Sequence, residues 1–126
     1  MNGERFKKGV AKRRLVLGDE RVDAVLDNAD AFNRPFQEAM TEWCWGFGWG
    51  DETLPPKTRS MLNLAMIAAL GRMHEWELHL RGSAKTGVTK AEVQAIIHQV
   101  AIYAGVPAGV ECFRIASKVF AEEDRD

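Results

Sequence analysis

Cysteine is scarce in this chain: Cys44 and Cys112 are the two among 126 residues. They stand far apart, in neither a C-x-x-C nor a metal-ligand spacing, which excludes a disulfide framework and leaves two buried free thiols as the expectation. An excess of charge of one sign is missing as well. Lys plus Arg number 17 against 18 Asp plus Glu, a net charge of -1, whereas a nucleic-acid or anionic-membrane surface needs a basic excess. No apolar run reaches the roughly 18 residues of a membrane span. The N-terminal stretch scatters Lys and Arg among polar residues without an apolar h-region, so no signal peptide is expected and the protein reads as cytoplasmic. Glycine-rich phosphate loops, G-x-S-x-G and histidines at metal-ligand spacing are also absent, so no metal, nucleotide or flavin is implied.

What is present reads as helix throughout. No stretch alternates at period two for long enough to make a strand, which predicts an all-α fold, a compact helical bundle of about six or seven helices. Without a linker or repeat, residues 1–126 read as one domain, and at this size folding buries roughly two-thirds of the unfolded chain's surface. Residues 4–17 carry Phe6, Val10, Leu15 and Val16 among basic residues and stop at Gly18, with the basic side expected in solvent. Asp19 is placed to cap a second helix through Val22, Val25 and Leu26, and residues 28–33 break it. A third helix starts near Asn33 with Pro35 in its first turn and runs Phe36, Met40, Trp43, Cys44, Phe47 at helical spacing. Gly46, Gly48 and Gly50, interleaved with Trp45, Phe47 and Trp49, are expected to loosen or end it, and packing is the first reading of those aromatics. Glycines there also admit a close approach by backbone or ligand.

Residues 59–87 are the stretch around which the chain is organised. Met61, Leu62, Leu64, Ala65, Met66, Ile67, Ala68, Ala69 and Leu70 cover every side of a helix launched by Pro56, and a helix apolar all round is expected to be buried. After Gly71, the residues Arg72, Glu75, Trp76 and His79 fall on one face at about 100° per residue. The plain reading is an amphipathic helix whose Glu75 and His79 form an ordinary i,i+4 pair; the sharper one is a charged stripe facing a cleft or subunit interface beside the buried helix. His74 and His79 mimic a zinc-protease motif, but five residues set the imidazoles about 140° apart on a helix, so they cannot share a metal. Beyond Gly87, Thr89 with Glu92 fits a capping box for a helix through Val93, Ile97 and Val100. Lone His98 reads as a hydrogen-bonded structural residue, Pro107 opens a last helix through Cys112, Ile115 and Phe120, and the charged tail EEDRD is expected to fray.

Taken together, residues 12–23 (KRRLVLGDERVD), PFQE, Trp45-Gly46-Phe47-Gly48-Trp49, KTRSMLNLAMIAALGR, the E-x-x-x-H-x-R of Glu75 to Arg81, GVTKAEV and QVAIYAGVPAG resemble the gamma-carboxymuconolactone decarboxylase family of the alkylhydroperoxidase D-like superfamily. The resemblance runs from the first helix to Phe120. It implies an alkylhydroperoxidase D-like helical fold and a carboxy-lyase of aromatic-compound catabolism, acting on gamma-carboxymuconolactone or a similar carboxylated lactone. It also implies a homohexamer built as a trimer of dimers, with the Trp45 to Trp49 segment as a candidate contact. Peroxidase members carry C-x-x-C-x-x-x-H, and those cysteine positions fall here on Arg72 and Glu75, against thiol peroxidase chemistry. Phe47 replaces a glutamate common in the family, and Lys85-Thr86 replaces an asparagine pair; both bear on substrate identity. A paralogue with another small substrate, or an oligomeric binding protein with a residual redox role, are the competing readings.

Stripe and resemblance together imply a mechanism without cofactor. The electron pair left by departing carbon dioxide delocalises onto the lactone carbonyl, so the substrate is its own electron sink. His79 is the expected proton donor, Glu75 its orienting carboxylate, Arg72 the clamp on a substrate carboxylate, and Trp76 or Trp49 an apolar wall.

Overall fold

The computed structural model describes residues 3–126, and among them the backbone forms seven α-helices, one π-helical segment and no strand. The chain divides into two compact units, the first ending at Pro56 and the second beginning at Lys57.

In the first unit, α1 (Glu4–Leu17) has Glu4 in its positive first turn and Arg14 in its last, the favourable sense for the helix dipole. It ends at Gly18, whose φ of 92° suits glycine. The first residue of α2 (Asp19–Asp27) is Asp19 itself; Gly18 occupies the cap position, and Asp19 and Asp23 both accept from Arg14. α3 (Arg34–Met40) loosens over the glycine-bearing stretch into a wider π-helical turn, Thr41–Gly48, and ends there, as expected, with a bond from the Trp49 N–H to the Cys44 carbonyl five residues back. Gly46 explains the close approach expected there, and its neighbour is backbone. A Cβ on Gly46 would lie 2.2 Å from the Arg5 carbonyl oxygen of α1, and one on Gly9 2.2 Å from the Thr41 oxygen. The helices thus touch main chain to main chain beside a small core of Val16, Trp45 and Trp49. The basic side of α1 is not wholly solvated either: Arg13 is buried, donating to Gln37 Oε1 and Thr41 Oγ1, both at 3.1 Å.

The second unit contains α4 (Pro56–Leu70), α5 (Met73–Ser83), α6 (Lys90–Ala104) and α7 (Val106–Glu122). Leu64, Ala68, Trp76, Leu80, Val93, Ile97, Cys112, Ile115 and Val119 meet in its core. The expectation that α4 is buried on all sides fails. Ser60, Leu64 and Ala68, one residue per turn, are buried, while Leu62, Met66 and Leu70 are 43%, 54% and 72% exposed on another stripe. The chain itself covers one side of this helix, and apolarity alone cannot say how many sides find a neighbour. The Thr89–Glu92 capping box is formed in both directions. Of the cysteines, Cys112 is buried as expected, whereas Cys44 is exposed. His98 is also exposed, its ring 5.8 Å from that of Phe113. No described helix is long and apolar enough to cross a membrane.

Candidate active site

The stripe begins at a glycine because the chain must reverse there. Gly71, at φ 74°, sends its N–H to the Ala68 carbonyl (3.0 Å) while the Arg72 N–H reaches the Ile67 carbonyl (3.2 Å), the paired bonds of a Schellman turn that closes α4. Arg72 then stands at the N-cap of α5, with φ -88° and ψ 71°, its carbonyl accepting from the Trp76 N–H at 2.9 Å. Its side chain is exposed and makes no ion pair with a described residue.

Along α5, Glu75 and His79 stand one turn apart, the carboxylate exposed and the imidazole largely covered. Burial pushes His79 down from the ordinary histidine value, and the opposing pull of the Glu75 carboxylate is smaller. Burial thus favours the neutral imidazole over the pull of the carboxylate toward imidazolium. Glu77 belongs to a separate surface network with Arg81 and Lys118, which holds its carboxyl below the usual range.

Trp76 is the side chain that departs most from its place in the stripe. It is fully buried, and its indole N–H donates to the Leu64 carbonyl at 2.9 Å, so it locks α5 to α4 instead of presenting a face to solvent. Trp49 is in the first unit, buried and stacked on Trp45 with ring centres 5.1 Å apart. α5 thus sets Glu75 one turn before His79, with Arg72 at its N-cap and Trp76 turned into the core.

Two polar pins were not legible in the sequence. Thr86, flagged there only as a departure from the family, donates to the Ser83 carbonyl (3.2 Å) and bonds Ser60 Oγ on α4 (2.7 Å). Arg125, assigned to a fraying tail, is inserted at the end of α5, donating to the Leu80 carbonyl (3.0 Å), Ser83 Oγ (3.0 Å) and the Val88 carbonyl (3.2 Å). No local pattern signals either, since each depends on a partner distant along the chain. The second unit also holds a mainly apolar groove of about 520 Å³ between α4 and α6, lined by Met61, Leu62, Ala65, Val100 and Tyr103, and a cleft of about 280 Å³ between α6 and α7. None of Arg72, Glu75 or His79 lines either one.

This arrangement suits proton transfer: a carboxylate stands one turn from a desolvated imidazole on a pinned helix, with an exposed arginine at the helix N-cap. Residues 34–118 match the model of the Carboxymuconolactone decarboxylase family. The chain is 39% identical to 4-carboxymuconolactone decarboxylase of Acinetobacter baylyi over 97% of its own length and 92% of that protein's. It is also 39% identical to nitrosuccinic acid decarboxylase of Metarhizium robertsii, over 90% of this chain and 79% of the relative.

Proposed function

The chain belongs to the carboxymuconolactone decarboxylase family, and from that premise we propose that it is a cofactor-independent carboxy-lyase acting on gamma-carboxymuconolactone or a similar small carboxylated substrate in aromatic-compound catabolism. Residues 1–126 act as one domain in this reading; the family match crosses from one compact unit into the other without a break. The observation that carries the reading is the edge of α5, where desolvated His79 stands one turn from Glu75 with Arg72 at the helix foot.

Arg72 holds a substrate carboxylate through its guanidinium. The bound dianion, together with Glu75, raises the affinity of His79 for a proton and so loads the imidazole when substrate is present. The bond to the departing carboxylate breaks, carbon dioxide leaves, and the electron pair passes through the ring double bond to the lactone carbonyl oxygen as an enolate. His79 then gives its proton to carbon and regains one from water. Trp76, sealed below, fixes the helix as an apolar floor. The Cys112 thiol, pushed up to about 11 by burial, has little thiolate character at neutral pH, which disfavours a redox role.

The nitrosuccinic acid relative, equal in identity to the lactone relative, favours a second reading within the same chemistry. The substrate is then another diacid whose carbanion is taken up by an electron-withdrawing group. Phe47, exposed with the Arg5 guanidinium 5.5 Å from its ring centre, is the position at which substrate range would differ.

The protein works in the cytoplasm as a homohexamer, a trimer of dimers. Exposed Leu62, Met66 and Leu70 on α4, Ile102 and Tyr103 on α6, and Phe36, Trp43 and Phe47 in the first unit support burial between subunits. Sedimentation at micromolar concentration should give the hexamer; monomer alone would defeat that assignment. Purified protein should decarboxylate the lactone with no activity toward hydroperoxide and thiol. His79→Gln should lower turnover roughly 10²–10⁴-fold, Glu75→Gln less, and Arg72→Ala should chiefly raise KM. Near-normal turnover of His79→Gln at pH 7 would move the proton to another donor.

A further inference from the structure

The charged tail is built into the second unit. Arg125 has a side chain only 8% exposed, its Nε lies 2.6 Å from the Glu123 carboxylate, and its guanidinium sits 5.1 Å from the centre of the Phe120 ring. Its two terminal nitrogens go to the Leu80 carbonyl, Ser83 Oγ and the Val88 carbonyl. The next residue accepts a bond from the first turn of α6, Lys90 N–H to the Asp126 carbonyl at 3.0 Å. The tail therefore ties the end of α5 to the start of α6.

The place of attachment is what gives this strap a consequence. The last carbonyls of a helix have no backbone partner within it; that of Leu80 accepts from Ser83 Oγ of its own turn and also from Arg125, whose guanidinium complements the negative end of the dipole. Leu80, whose carbonyl Arg125 holds, immediately follows His79. On the other side of His79, Trp76 is fastened to the Leu64 carbonyl of α4. His79 thus lies between two pins, one on the residue three before it and one on the carbonyl of the residue after it. Rotation or fraying of α5 at this point would displace the His79 ring, and a proton donor displaced by about an ångström loses most of its advantage.

We propose that Arg125 is a positioning residue for His79, acting by clamping the last turn of α5 through the Leu80 carbonyl and Ser83. The inference rests on the decarboxylase reading only for its kinetic consequence. In R125A, kcat should fall about 10- to 100-fold with KM little changed, and added guanidinium ion should restore part of it. R125K, which keeps the charge but lacks the fork that reaches three acceptors, should be intermediate. Independently of turnover, the NMR titration of the His79 ring, assigned by its absence in H79Q, should shift in R125A because the ring's burial and its distance from Glu75 change. Circular dichroism checks that each variant is folded, and R125K carries the test if R125A is not. A folded variant with wild-type kcat and an unshifted His79 titration, altered only in melting temperature, would overturn the proposal. Should the wild-type protein decarboxylate no carboxylated substrate, the decarboxylase reading fails, and the His79 titration still decides the strap.

Discussion

In the first unit, α1 meets the π-helical turn across Gly9 and Gly46, main chain against main chain, beside a core of Val16, Trp45 and Trp49. In the second, α4 to α7 surround a set of interlocking aliphatic side chains, with polar groups used as fasteners at the ends: the Trp76 indole, the Ser60–Thr86 hydroxyl pair and Arg125. The difference teaches where each unit is vulnerable. The first should fail when a side chain is added, the second when one is taken away.

The largest effect should come from the second unit. Leu64→Ala removes a fully buried side chain from the core below α5 and should cost roughly 2–5 kcal/mol, read as a lowered denaturant midpoint. If it cost no more than an exposed substitution such as Leu62→Ala, the contrast between the stripes of α4 would be false. The complementary change in the first unit is Gly46→Ala, one methyl placed where the Arg5 carbonyl already stands. It should cost about 1–3 kcal/mol by forcing α1 away, and tryptophan fluorescence should follow because Trp45 sits beside it. Gly71→Ala makes a useful control: open space surrounds that position, so its cost should be that of φ 74° alone, about 1 kcal/mol. Thr89→Ala, which removes half of the capping box on α6, should also cost about 1 kcal/mol in thermal unfolding.

The smallest effect is one of pH. Because burial lowers the His79 affinity for a proton in the folded state, the unfolded chain binds more protons once pH falls below the ordinary histidine value near 6.5. The contribution of a neutral, buried His79 to stability is therefore complete above that value and is lost as pH falls through it. His79→Gln should flatten the stability profile as pH falls below the ordinary histidine value; an unchanged slope would mean that the ring is not desolvated.

Helix positions were legible because they are local decisions. Gly18 as a stop, Pro35, Pro56 and Pro107 as starts and the Thr89–Glu92 box act over a few residues, and each stands where its pattern placed it. The stripe on α5 was legible for the same reason, since spacing by three and four fixes which side chains share an edge. Spacing did not reveal that the tryptophan of that stripe points into the core or that burial outweighs the carboxylate beside the histidine, because both depend on what packs over the helix.

Composition and periodicity by themselves determined an all-α chain, its helix ends and the one-turn spacing of Glu75 and His79, because backbone hydrogen bonding and capping are settled within one or two turns. Only the tertiary structure decided that α4 is covered on one stripe, that Gly9 and Gly46 admit backbone instead of ligand, that Arg13 is buried and that Arg125 returns across more than forty residues to hold the end of α5. Each of these turns on a neighbour remote in sequence, and burial or a buried bond exists only when that neighbour arrives.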